Sequence, residues 1–301
     1  MEKRIKYLGF LLIIVGVGWL CHPPDRFYKI VVVKGSDTEV NLALTLAETY
    51  MAKDPNISIA VTGGGSGAGI ASLINGKTDI ANSSRPMTPA ELTLAKERNI
   101  QPIPIIFAVD ALALIVEKEF PLDSLTVEQA ADIFSGKILN WKELGGADMT
   151  ISLYGRQSNS GTFVFFRDSI VKAEYALHHK QMNGTAQIVD AIRHDPAGIG
   201  YVGVGYVKKR DGSLVNGLKV LGMKRTATSP AVSPLSTPQV VDGAYPIVRP
   251  LFQYVNGLPS GKLLDFILFC LSPEGQQIVA DNGYYPISTV QQKQNQKAIN
   301  Q

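Results

Sequence analysis

Four segments of the chain place small hydroxyl-bearing residues where a strand-like run gives way to a helix-like one. They are Gly35-Ser36-Asp37-Thr38, Thr62-Gly63-Gly64-Gly65-Ser66-Gly67-Ala68-Gly69, Asn82-Ser83-Ser84-Arg85-Pro86 and Arg156-Gln157-Ser158-Asn159-Ser160-Gly161-Thr162. The first residues of a helix leave backbone N–H groups without intrahelical partners, so such loops attract anions. Glycine lets the backbone approach a small ion closely, and hydroxyls donate without requiring a counter-charge. Only Arg85 and Arg156 stand in these loops as cations. Many neutral donors around one or two guanidiniums suit the reversible holding of a small oxyanion. Any one of these Ser or Thr residues could be an ordinary helix cap. Four such loops in one chain point instead to a shared ligand.

Rival chemistries fit the same residues less well. The glycine run lacks the Lys-Ser/Thr ending that cradles a nucleoside triphosphate. Gly63, Gly65 and Ala68 meet a relaxed dinucleotide fingerprint, but no acidic residue follows about 20 positions on to hold a ribose. Gly64-Gly65-Ser66-Gly67-Ala68 approaches a nucleophile elbow, with His194 as base and Asp190 or Asp195 to orient it, although an alanine replaces the last glycine. A serine hydrolase is therefore the enzymatic alternative to a binding protein. His178-His179 has no Cys or carboxylate at metal-ligand spacing, and both histidines are expected at the surface. No metal or cofactor is expected.

The elements that must position these loops alternate in the manner of an α/β protein with parallel sheets. Strand-like runs at 30–33, 57–61 and 78–81 each precede a polar loop and a helix-period segment. Thr88-Pro89-Ala90-Glu91 reads as an N-cap, a first-turn proline and a capping-box glutamate. After 102–109, the extended run 111–116 looks like a crossover to a second lobe. That lobe would hold a helix at 127–134, a strand at 151–154 with a helix from its polar loop through Ile170, a helix at 186–193, a strand at 199–202, and a loose Ser/Thr/Pro-rich stretch at 227–243. Extended 245–254 would return the chain to helices at 261–271 and 273–282. Phe163, Phe165 and Phe166 are expected in the core. The predicted organisation is a segment 1–27, a discontinuous lobe of 28–110 plus 245–290, a second lobe of 111–244, and a polar tail at 291–301.

With 301 residues, 45 % hydrophobic and 18 % charged, the chain can bury a core and is not a disordered polyelectrolyte. Its net charge of +3 includes +2 from Glu2, Lys3, Arg4 and Lys6, leaving about +1 for the remainder, which excludes a basic nucleic-acid-binding surface. Two cysteines, Cys21 and Cys270, cannot build a disulfide scaffold or hold an iron–sulfur cluster. Lys3-Arg4-Ile5-Lys6 followed by an uncharged apolar run from Tyr7 to Leu20 reads as an export signal, short for a membrane span. Cys21 directly after that run leaves three outcomes open: acylation of Cys21, an uncleaved anchor, or simple cleavage.

Taken in order, the four loops resemble those of the phosphate-binding component of bacterial high-affinity phosphate ABC importers. The likeness continues outside the loops in Ile133-Phe134-Ser135-Gly136-Lys137-Ile138-Leu139-Asn140-Trp141-Lys142-Glu143-Leu144, in Gly198-Ile199-Gly200-Tyr201, in Tyr245-Pro246-Ile247-Val248-Arg249-Pro250-Leu251 and in Ser272-Pro273-Glu274-Gly275-Gln276. It spans about residues 28 to 288. The resemblance implies a two-lobed periplasmic-binding-protein fold of type II, with a mainly parallel, helix-flanked sheet in each lobe and a two-strand hinge. It also implies inorganic phosphate as ligand and the permease and ATPase subunits of an importer as partners. The expected receptor is monomeric, is not an enzyme, and works in the periplasm or at the outer face of the cytoplasmic membrane.

By position, Ser36 and Thr38 would donate from the first loop and Ser66 from the glycine loop. Arg156, Ser160, Gly161 and Thr162 would act from the opposite lobe, with Ser83, Ser84 and Arg85 as further candidates. Family members carry an aspartate where Ser84 stands, accepting the proton of bound phosphate. Asp37 is the nearby acidic candidate for that role. Sulfate or molybdate as ligand, and phosphate sensing without transport, are the alternatives within the same fold.

Overall fold

In the computed structural model, which describes residues 29–209 and 211–300, the three strand–loop–helix units of the first lobe form as expected. The segment 1–27, with Cys21, lies outside the described residues. Strand β1 (Lys29–Gly35) leads to helix α1 (Val40–Lys53), β2 (Ile57–Thr62) to α2 (Ser66–Ile74), and β3 (Ile80–Ser83) to α3 (Pro89–Glu97). Both β2 and β3 pair with β1 in parallel. Branched side chains favour the extended backbone here, and Val31, Val33, Ile57 and Ile80 are all buried. Helix α1 covers the sheet with Leu42, Ala43, Leu46 and Ala47, a stripe at helical spacing. Helix α2 packs against the end of β1 so closely that a Cβ at Gly69 would stand 2.6 Å from Gly35 Cα. Helix α3 opens with the capping box read from the sequence, Thr88 accepting from the Glu91 N–H and Glu91 accepting from the Thr88 N–H.

The crossover is longer than the sequence suggests. Strand β4 (Pro102–Glu117) is one continuous extended element that includes Asp110. It is followed by β5 (Ser124–Thr126), α4 (Val127–Ser135), β6 (Ser152–Arg156), α5 (Gly161–Phe166), β7 (Lys180–Met182), α6 (Thr185–Arg193), β8 (Gly198–Gly203), β9 (Leu218–Val220), β10 (Gly222–Lys224) and α7 (Thr237–Val241). The chain returns through β11 (Val248–Asn256) and ends in α8 (Gly261–Leu271), α9 (Pro273–Asp281) and α10 (Thr289–Asn300). The order of the large sheet is β2-β1-β3-β11-β4-β8-β6-β7, with β9 also on β4.

The fold is thus mixed α/β and two-lobed. β4 pairs antiparallel with β11 through residues 102–111 and with β8 through Leu112–Ile115, so a single strand belongs to both lobes. β11 is the second connection. Its ladder shifts register between Leu251 and Phe252, a bulge beside the lobe junction.

Several local expectations change. The helix expected to run through Ile170 is α-helical only to Phe166 and then widens into a π-helical turn at Arg167–Val171. The extended return begins as a strand at Val248 rather than at residue 245. Within the loose stretch, Thr237–Val241 is helical. His179, expected at the surface, is buried at 8 % exposure and stacks on Tyr175 with ring centroids 4.4 Å apart. Burial pushes its imidazole down to about 4, so it is neutral at neutral pH. Phe163 and Phe166 are buried, while Phe165 is half-buried beneath the Arg249 guanidinium, 5.2 Å from its ring. The polar residues beyond 290 belong to α10, and Asn295 fixes it by bonding both the N–H and the C=O of Ile106.

Candidate functional site

The parallel arrangement of β1, β2 and β3 brings the first three loops to one end of the sheet, and β6 brings the fourth loop against them from the other lobe. Their hydroxyls converge. Ser36 Oγ donates to Ser84 Oγ over 3.1 Å, Ser66 Oγ lies 3.4 Å from Ser84 Oγ, and the Ser84 N–H donates to Ser66 Oγ. Across the lobes Thr38 Oγ1 and Thr162 Oγ1 are 2.7 Å apart. Ser160 caps α5 by accepting from the Thr162 N–H. Gly161 lies so close to the opposite lobe that a Cβ there would be 2.6 Å from Ser84 Oγ and 2.9 Å from Ser66 Cβ. Ser36, Thr38, Ser66, Ser84, Ser160 and Thr162 are each 3 % exposed or less.

The four loops also close backbone against backbone. The Gly67 N–H donates to the Asn159 carbonyl, and Asn159 Nδ2 donates to the Gly64 carbonyl. On the same side Tyr206 Oη donates to the Asp37 carbonyl and Tyr284 Oη to the Thr38 carbonyl.

Two candidates from the sequence do not join this cluster. Arg85 gives Nη1 and Nη2 to the two oxygens of Glu91, each at 2.7 Å, and Nη1 also to the Pro86 carbonyl. Ser83 Oγ donates to the Arg85 carbonyl. The capping box explains this, because the glutamate that closes α3 also grips the arginine.

Arg156 and Asp37 do lie at the junction, but they bond each other. Arg156 Nη2 donates to Asp37 Oδ2 at 2.5 Å and to the Asn183 carbonyl, Nη1 to Thr185 Oγ1, and Nε to the Met182 carbonyl. The other Asp37 oxygen accepts from the Gly64 N–H at 3.1 Å. The pair therefore ties lobe to lobe. Asp37, the expected proton acceptor, has both oxygens occupied.

Three buried charged side chains complete the site. Asp110 and Arg249 face each other in the antiparallel register of β4 and β11. Nε and Nη2 of Arg249 donate to Asp110 Oδ2 at 3.0 and 2.8 Å, while Asp110 Oδ1 accepts from the Val204 N–H. Nη2 also reaches Thr38 Oγ1 at 3.3 Å and Thr162 Oγ1 at 3.1 Å, so this guanidinium touches one ligand-loop hydroxyl from each lobe. Arg249 Nη1 is buried without a hydrogen-bond partner among the described residues. A donor left unpaired in the interior is costly, and here it belongs to the group that joins both threonines.

Glu39 is the third, fully buried, with neither carboxyl oxygen hydrogen-bonded among the described residues. Burial pushes its carboxyl from 4.5 up to about 8, against the pull of the Ser36 hydroxyl and Arg249. The signal for Arg249 and Asp110 lay in the sequence as single opposite charges in two apolar extended connectors, since a charge buried there needs a partner.

The raised Glu39 value has a direct consequence for stability. Between about 4.5 and 8 the folded chain holds a proton that the unfolded chain has released, so stability falls as pH rises through that window. The fall should be on the order of 3–5 kcal/mol and level off above the folded value. Thermal unfolding of the ligand-free protein at a series of pH values, with Glu39→Gln subtracted as reference, should show this descending limb. A flat difference curve would place the proton elsewhere.

The formal charges around the hydroxyls pair off, Asp37 with Arg156 and Asp110 with Arg249. What the site offers an incoming group is a set of neutral donors, one unpartnered guanidinium nitrogen and one unpartnered carboxyl. The hydrolase reading loses its base, because His194 is an exposed residue at the end of α6 bonded to the Asp190 carbonyl, and Asp195 bonds Tyr154.

Residues 23–274 match the family model for the PBP superfamily domain. The chain is 31 % identical over 271 residues to the phosphate-binding protein PstS of Pseudomonas aeruginosa, covering 84 % of this chain and 81 % of the relative. It is 29 % identical to PstS of Borreliella burgdorferi, covering 95 % of this chain and all of the relative. Among solved structures it is similar to a putative phosphate ABC transporter substrate-binding protein with bound phosphate from Clostridium perfringens. That match has a TM-score of 0.75 and 27 % identity, covering 86 % of this chain and all of the other. The strand–loop–helix order, the two-lobed sheet and these matches agree: the chain belongs to the PBP superfamily and, within it, to the PstS family of phosphate-binding proteins.

Proposed function

We propose that this chain is an exported receptor that captures inorganic phosphate between its two lobes and presents it to the permease and ATPase subunits of an ABC-type importer. The observation that carries the reading is the enclosed cluster in which hydroxyls of both lobes, Thr38 and Thr162, meet the one guanidinium with an unpartnered nitrogen. Neutral donors around a single cation hold a tetrahedral anion firmly enough to capture and loosely enough to release. Relatives named phosphate-binding protein, and a structural neighbour described with bound phosphate, support the ligand's identity.

In this reading lobe one is 28–110 with 245–290 and lobe two is 111–244. They swing about β4 and β11, and phosphate favours the closed form. Ser36, Thr38, Ser66, Ser84, Ser160, Thr162 and the backbone at Gly161 surround the anion, with Arg249 added to the residues the sequence put forward. Arg156 and Asp37 act as the tie between lobes. The receptor performs no catalysis and acts as a monomer at the outer side of the cytoplasmic membrane, held by its N-terminal segment or a lipid on Cys21. Among the described residues, no helix is long and apolar enough to cross a membrane. Titration of the body from residue 28 with inorganic phosphate tests the reading, and a chain that binds none is not this receptor.

A further inference from the structure

Hydroxyls rotate, so a ring of Ser and Thr grips any tetrahedral oxyanion, and Ser84 cannot tell phosphate from sulfate. Asp37 cannot do so either, because Arg156 and the Gly64 N–H take its two oxygens. One carboxyl in the site is free to act. Glu39 follows Thr38 directly at the start of α1, is fully buried, and has two oxygens without a hydrogen-bond partner among the described residues. Its carboxyl lies within the influence of the Ser36 hydroxyl, the Arg249 guanidinium and Asp110, the groups that gather around the proposed anion.

We propose that Glu39 is the residue that distinguishes a tetrahedral oxyanion carrying a proton from one without. This rests on the phosphate reading above.

When ionised, Glu39 presents only lone pairs. Monohydrogen phosphate turns its P–O–H toward them and makes a charge-assisted hydrogen bond, whereas sulfate offers nothing but further lone pairs in a dry site. When protonated, Glu39 donates to either anion and discrimination is lost. Burial sets the crossover at about pH 8, so the preference for phosphate should widen as pH rises through that value.

The other titratable and charged groups around Glu39 are Asp110 of β4, Arg249 of β11, Tyr206 after β8 and Tyr284 after α9. Burial pushes both phenols above 10, so neither changes charge between pH 7 and 9.5. Asp110 and Arg249 are held by each other. Glu39 is the group in this cluster that changes its hydrogen-bonding character within that range.

Sulfate is the clean probe, since it does not titrate near neutrality. In the wild-type protein, calorimetric titration with sodium sulfate from pH 7 to 9.5 should show affinity falling, approaching tenfold per pH unit above pH 8, because each sulfate bound must bring a proton to Glu39. Inorganic phosphate, which supplies its own proton, should change far less. In Glu39→Gln the amide donates at every pH, so sulfate affinity should be flat and phosphate should lose its advantage by at least tenfold. If sulfate is undetectable in the wild type at every pH, the variant decides, and sulfate must then appear. A wild-type sulfate affinity independent of pH, or a Glu39→Gln protein that keeps the wild-type phosphate-to-sulfate ratio, overturns the assignment while leaving phosphate binding intact. A wild-type protein that binds neither anion overturns the phosphate reading, and the assignment of Glu39 falls with it.

Discussion

Arg249→Met is expected to weaken phosphate binding at least about thirtyfold and to destabilise the protein by about 3–5 kcal/mol, two losses with separable causes. The stability loss comes from Asp110, which is fully buried and would keep only the Val204 N–H once the guanidinium is gone. A buried charge stripped of its counter-ion costs more than the pair contributed, because the desolvation penalty remains. The binding loss comes from the unpartnered Nη1 and from the link through Nη2 to Thr38 and Thr162. The double variant Arg249→Met with Asp110→Asn separates them. Asparagine still accepts from Val204 and carries no charge, so chemical denaturation should show much of the stability restored, while calorimetry should show phosphate binding as weak as in the single variant. Recovery of binding together with stability would mean that Arg249 only balances Asp110.

Gly161→Ala is expected to block capture while sparing the fold. Ser160 caps α5, and alanine at its first position suits a helix. The added methyl would stand 2.6 Å from Ser84 Oγ and 2.9 Å from Ser66 Cβ, both on the opposite lobe. Overpacking of this kind costs about 1–3 kcal/mol, and here the penalty applies only when the lobes meet. Phosphate affinity should therefore fall by roughly five- to 150-fold, the factor equivalent to that energy, while the thermal midpoint without ligand stays near that of the wild type. A midpoint lowered as much as the affinity would show that α5 itself is disturbed.

The parts of the molecule legible in the sequence are those written contiguously. Each ligand loop carries its own strand end, hydroxyls and helix start, so Ser36, Ser66, Ser84 and Thr162 could be picked out without knowing what they face. The capping box at Thr88 was legible for the same reason, though not its second effect of drawing Arg85 to Glu91. Arg249 and Asp110 stand 139 residues apart, and only the pairing of β4 with β11 makes them neighbours. That pairing also explains why β4 runs unbroken through Asp110, since an arginine directly across the ladder removes the reason for an apolar strand to stop at a charge.

Glu39 escaped notice because a carboxyl at a helix start looks like ordinary dipole compensation. Its burial beneath Tyr206 and Tyr284 is a tertiary effect. His179 was misplaced for a similar reason: one of two adjacent histidines turns inward against Tyr175 and Phe163, which nothing local dictates.

The central claim is capture of phosphate between two lobes that close on it, and the most direct measurement is small-angle scattering of the body from residue 28 during titration with inorganic phosphate. The account predicts a saturable decrease in the radius of gyration that tracks one-to-one binding followed by calorimetry on the same samples, and no such decrease for Gly161→Ala at the same concentrations. A radius that stays constant at full phosphate occupancy would contradict closure of the lobes around the anion, and no phosphate binding at all would contradict the assignment of the ligand.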